Sequence, residues 1–124
     1  MKFFIFNSIL EINSIIELIF RTILAVQGKI ELKILDMCTG SGAIAISLCK
    51  LIKNVLVYAS DISKDALKIA NENSNKNKAN VLFFESDLFE KISELYKFDI
   101  IVSNPPYIAE NEKHIEEINQ QIED

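Results

Sequence analysis

The sequence predicts an α/β protein built on a doubly wound, mostly parallel sheet, of which four strands are legible. Three observations predict it. Four short apolar runs fail to alternate with polar residues, helical patterns fill the intervals between them, and a glycine-rich turn joins the first run to the helix after it.

Taken in order, residues 1–28 read as an N-terminal amphipathic helix. Ile9, Ile12, Ile16, Ile19 and Ile23 recur at three- and four-residue spacing, Ser8 and Glu11 fit a capping box, and Gly28 is a plausible stop. The apolar runs follow at Ile34-Leu35, Val55-Leu56-Val57-Tyr58, Val81-Leu82-Phe83-Phe84 and Ile100-Ile101-Val102. Continuous apolar character predicts strands buried on both faces, as in a parallel sheet. Helices are expected over residues 43–53, 63–75 and 89–96, the second capped by Ser63 with Asp65 in its first turn. Residues 71–80 (NENSNKNKAN) read as a frayed helix end and solvated loop. Ile115, Ile118 and Ile122 suggest a weak surface helix in the tail. Right-handed crossovers would place the four strands in the order 3-2-1-4.

Composition narrows the functional classes. At 124 residues, 49% hydrophobic and 25% charged, the chain has room for one domain and an ordinary globular balance. Its net charge of -5 disfavours a broad basic face for nucleic acid. Cys38 and Cys49 lie in no Cys-x-x-Cys pattern, so neither a disulfide scaffold nor a metal site is expected, and a reducing cytoplasmic setting is the default. Asn7, Glu11 and Glu17 interrupt the opening apolar run, and no uncharged stretch reaches the ~18 residues of a membrane span.

Two motifs carry chemistry. Asp36-Met37-Cys38-Thr39-Gly40-Ser41-Gly42 lies at the first strand-to-helix turn, and Asp61 ends the second strand. Glycines let a backbone turn tightly and approach a ligand, while a strand-end carboxylate accepts hydrogen bonds from ribose hydroxyls. Gly40, Gly42 and Ala45 fit G-x-G-x-x-A, so a nucleoside cofactor is expected. Asp36 would repel a pyrophosphate but suit a sulfonium or an ammonium, which favours S-adenosylmethionine over NAD. The second motif is Asn104-Pro105-Pro106-Tyr107, directly after the fourth strand. Proline makes this a rigid corner. The Asn104 carboxamide and a corner carbonyl can together accept from one planar NH₂ group, Tyr107 can stack on it, and orientation then replaces a strong base.

These residues, with Ala59-Ser60-Asp61-Ile62, Glu85-Ser86-Asp87-Leu88-Phe89 and Val102-Ser103-Asn104-Pro105-Pro106-Tyr107-Ile108, resemble the HemK/PrmC family. Its members are S-adenosylmethionine-dependent methyltransferases that modify the glutamine of the Gly-Gly-Gln loop in peptide chain release factors. The resemblance implies a Rossmann-like, class-I methyltransferase fold in residues 29–124. It also implies roles. Cys38, Thr39, Gly40, Ser41 and Gly42 would wrap the methionine part of the cofactor with Asp36 near its amino group, and Asp61 would hold the ribose. Asp87 and Leu88 would flank the adenine, while Asn104, Pro105, Pro106 and Tyr107 would clamp the substrate amide. The same Asn-Pro-Pro-Tyr box is similar to that of methyltransferases acting on adenine or cytosine amino groups, and a truncated, non-catalytic remnant is a further alternative. The family's sheet continues with further strands that the residues after Ile108 do not supply. The fourth strand is therefore expected as an open edge, inviting pairing with a partner or aggregation.

Overall fold

The computed structural model describes residues 2–5, 14, 16–19, 21, 31–87 and 97–103. The four expected strands are present, and a fifth joins them. They are β1 (Lys2–Ile5), β2 (Leu32–Met37), β3 (Val55–Asp61), β4 (Val81–Glu85) and β5 (Ile100–Ser103). Helix α1 (Ala43–Leu51) connects β2 to β3, and helix α2 (Lys64–Lys76) connects β3 to β4. Every strand pair is parallel, and the spatial order is β1-β5-β2-β3-β4. The four strands read from the sequence thus occupy the doubly wound order expected of them.

The N-terminus differs from expectation. Lys2–Ile5 is a strand, paired with β5 from Lys2↔Ile100 to Ile5↔Ser103. The open edge expected at Ile100–Val102 is therefore covered by this chain, and β5 requires no partner to complete its pairing. The helical pattern expected across residues 1–28 does appear further on, where 14, 16–19 and 21 are helical. Ile19 is buried there, in one cluster with Ile34, Ile44, Ala45, Leu48, Val57, Ala59, Ile100 and Val102. This cluster joins one face of the sheet to α1, which explains why α1 carries apolar residues at three- and four-residue spacing.

Burial follows position in the sheet. In β2 and β5, Ile34 and Leu35, and Ile100 and Ile101, are buried as neighbours, so both faces are covered. β4 departs from the two-sided burial expected of it. Val81 and Phe83 pack on the core, but Leu82 and Phe84 are 44% and 38% exposed, because β4 borders the sheet. Helix α2 starts as expected: Ser63 Oγ accepts from the Ala66 amide at 3.1 Å, and Asp65 lies in the first turn. The expected helices over 89–96 and in the tail lie outside the described residues, as do Ser8, Glu11 and Gly28. Among the described residues, no helix is long and apolar enough to cross a membrane.

Candidate active site

The turn after β2 is held by three side chains from three directions. Cys38 leaves the strand in the left-handed region, φ 58°, and Gly40 and Gly42 follow at 56° and 84°. The Gly42 amide closes the turn on the Thr39 carbonyl at 2.9 Å, and the Thr39 amide reaches the Ser60 carbonyl of β3 at 2.9 Å. From below, Asp36 Oδ2 accepts from Thr39 Oγ1 at 2.7 Å. From β3, Asp61 Oδ2 accepts from the Gly40 amide at 2.9 Å, while its Oδ1 accepts from the Ser63 amide at 3.0 Å. From α2, Asn73 Nδ2 donates to the Ser41 carbonyl at 3.0 Å. Asn73 was not foreseen; it sits in the asparagine-lysine stretch read as a frayed helix end and solvated loop.

The two glycines do different work. A Cβ on Gly40 would meet nothing within 4 Å, so the backbone there faces open space. A Cβ on Gly42 would stand 3.1 Å from Ala70 Cβ, so this glycine lets α1 start close against α2. On the side that a Cβ would occupy, Gly42 meets Ala70 and Ile46 rather than open space.

The acids form a gradient of burial. Asp36 is fully buried, and its Oδ1 has no hydrogen-bond partner among the described residues. Burial pushes its carboxyl up to about 7; the Thr39 hydroxyl pulls down, and the Asp61 charge pushes further up. The Ala45 amide at the start of α1 also pulls it down, though from outside hydrogen-bonding geometry. The Cys38 thiol is raised to about 11 by burial first, then by Asp61 and Asp36, and Asp87 adds to this. It is a neutral group, not a nucleophile. Ser103 lowers it, and the fully buried Ser103 hydroxyl has no hydrogen-bond partner among the described residues. Asp87 is half-buried just beyond β4, and the adjacent Ser86 amide donates to the Asp61 carbonyl at 3.1 Å.

Strand register sets the glycine turn beside the end of β5. β2 and β5 are parallel neighbours with Met37 opposite Ser103, so the glycine turn and the residue preceding Asn104 leave the sheet side by side. Asn104, Pro105, Pro106, Tyr107 and Leu88 lie outside the described residues. Ile62 was missed in the sequence. It directly follows Asp61 and is 67% exposed, an apolar surface at the mouth of the site. No group of three or more histidine, cysteine or acidic residues could hold a metal among the described residues.

The donor set fits S-adenosylmethionine. Open space at Gly40, an orphaned carboxylate oxygen on Asp36 and further acids at Asp61 and Asp87 suit hydroxyls and cationic groups. They do not suit a pyrophosphate, which the same acids would repel.

Residues 7–124 match the family described as methyltransferase small domain. The chain belongs to that family. A release factor glutamine methyltransferase of Lactococcus lactis subsp. lactis (strain IL1403) is 58% identical over 92 residues, covering 74% of this chain and 33% of the relative. One from Bacillus subtilis (strain 168) is 48% identical over 94 residues, covering 75% and 32%. The chain thus spans about a third of the length of the curated relatives it matches. Among solved structures, TrmN from Thermus thermophilus superposes with a TM-score of 0.52 at 26% identity, covering 70% of this chain and 27% of that one. The fold of this methyltransferase small domain is accordingly the Rossmann-like, class-I methyltransferase type. Strand β1 lies ahead of the span that matches the family.

Proposed function

We propose that this methyltransferase small domain binds S-adenosylmethionine and serves transfer of its methyl group to an amide nitrogen. The acceptor is the side chain of the glutamine in the Gly-Gly-Gln motif of peptide chain release factors. The observation that carries the reading is the parallel pairing of Met37 with Ser103, which starts the glycine turn and the Asn-Pro-Pro-Tyr corner from adjacent strand ends. The cofactor supplies an electrophilic methyl group on sulfur. The chain supplies position. Asp61, already tied to the Gly40 and Ser63 amides, keeps lone pairs for ribose hydroxyls. Ile62 offers the base an apolar surface, with Asp87 and Leu88 on its other side. Cys38 to Gly42 follow the methionine part, with Asp36 below. The Asn104 carboxamide and the Pro105 carbonyl accept from the substrate NH₂, and Tyr107 stacks on its plane. A neutral amide nitrogen would react here through alignment, taking the methyl group as the sulfonium leaves as the neutral thioether and then giving up one N–H proton to solvent, so no strong base is needed beforehand.

Support for glutamine over a nucleobase comes from the acidic net charge and from the names of the relatives. Calorimetric titration with S-adenosylhomocysteine tests cofactor binding: the wild type should give a saturable heat, and Asp61→Ala should lose it. Absence of heat from the folded wild type refutes the reading. Mass spectrometry of release factor incubated with the protein and methyl-labelled cofactor tests the acceptor, with a full-length relative as positive control. Label on an oligonucleotide instead of the factor would move the acceptor to a nucleobase.

A further inference from the structure

A fully buried carboxylate with one free oxygen is costly unless something compensates its charge. Asp36 is such a group. Thr39 Oγ1 holds Oδ2, and Oδ1 is unpartnered. Its surroundings provide no compensating cation among the described residues. Strand β3 contributes the Asp61 carboxylate, the turn contributes the Cys38 thiol, β5 contributes the Ser103 hydroxyl, and the Asp87 charge adds to the negative potential at that thiol. Helix α1 offers only the partial positive charge of its N-terminus, since its one basic residue, Lys50, lies in the last turn. The charge missing from this environment is positive.

We infer that Asp36 lets the site distinguish methyl donor from spent product: ionised, its carboxylate favours the cationic sulfonium over the neutral thioether, and protonated it does not. The inference rests on the proposed cofactor and deepens it. Asp36 acts as a specificity residue through the field beneath the turn, with no covalent step of its own. The two ligands share ribose, base and amino acid, so contacts to those parts cancel in their ratio. What remains is the response of the site to one unit of charge, which a weakly screened interior transmits well. Because the carboxyl titrates near neutrality, the discrimination should be adjustable by pH. It should rise as pH rises and the carboxyl ionises.

The test is calorimetry of the full chain with S-adenosylmethionine and S-adenosylhomocysteine separately at pH 6 and pH 8. The wild type should increase its preference for the sulfonium by about tenfold across that interval, the scale of one opposite charge inside a protein. Asp36→Asn should keep a constant ratio across the same interval. Thr39→Val removes the donor that holds Oδ2 and should move the rise to higher pH, which keeps the inference testable if Asp36→Asn does not fold. An equal rise in Asp36→Asn, or an unmoved midpoint in Thr39→Val, overturns the inference while leaving cofactor binding intact. Failure of both ligands to bind the folded wild type overturns the cofactor reading and this inference with it.

Discussion

Gly40→Ala and Gly42→Ala separate the ligand-facing part of the turn from its packing part. Both residues sit at positive φ, where an L side chain costs about 1–2 kcal/mol. At Gly40 that is the whole penalty, since the new methyl group meets nothing within 4 Å. At Gly42 the methyl group would also lie 3.1 Å from Ala70 Cβ, 3.4 Å from Ala70 Cα and 3.4 Å from Ile46 Cδ1. The helix backbone behind Ala70 cannot yield cheaply, and over-packing of this kind adds about 1–3 kcal/mol. Gly42→Ala should therefore lose about 2–5 kcal/mol in urea unfolding, and Gly40→Ala about 1–2 kcal/mol. Titration with S-adenosylhomocysteine should show the reverse order of damage among folded molecules: Gly40→Ala binds at least tenfold more weakly, because its methyl group enters the open space. Ala70→Gly should restore part of the stability lost in Gly42→Ala. Equal destabilisation by the two substitutions, or full affinity in Gly40→Ala, would refute the division of labour between them.

Two further outcomes follow from the same turn. The Asp36 carboxyl is raised from 3.8 to about 7, so the folded state holds a proton that the unfolded chain releases. Its contribution to stability is full below pH 3.8 and is lost as pH rises through 7. The whole interval amounts to about 4 kcal/mol, so urea unfolding should show stability falling from pH 4 to pH 7 and levelling off above, and Asp36→Asn should flatten that fall. An unchanged slope in Asp36→Asn would remove Asp36 as its cause. Cys38 occupies the left-handed region with a φ of 58°. Cys38→Gly should be neutral or stabilising by about 1 kcal/mol, whereas Cys38→Val should cost about 2 kcal/mol in the same assay.

Local signals were readable where one stretch of chain carries both the geometry and the chemistry. The glycine turn, Asp61 and the Ser63 cap appear in the fold as the sequence places them, because each depends on nearby backbone. The strand order was legible because the crossover rule leaves few alternatives. What stayed hidden depends on neighbours distant in sequence. Gly40 and Gly42 look alike until Ala70 arrives from α2. Val81–Glu85 reads like a fully covered strand, and only its border position exposes Leu82 and Phe84. Asn73 has no local mark that distinguishes it from Asn71 or Asn75. Lys2–Ile5 is four residues long, and the isoleucine spacing after it pulls the reading toward helix.

The pairing of β1 with β5 has a consequence for how the molecule comes into being. β1 aligns with β5, which follows it in the chain after β2, β3 and β4, so β1 must wait for all three to be made before it can pair. At ribosomal elongation rates of about 5–20 residues per second, that delay is on the order of 5–20 s. Closing so long a loop is entropically expensive and comes late in folding. Residues 2–5 (KFFI) thus stay unpaired through that interval, an apolar segment that chaperones would have to shield until β5 is made.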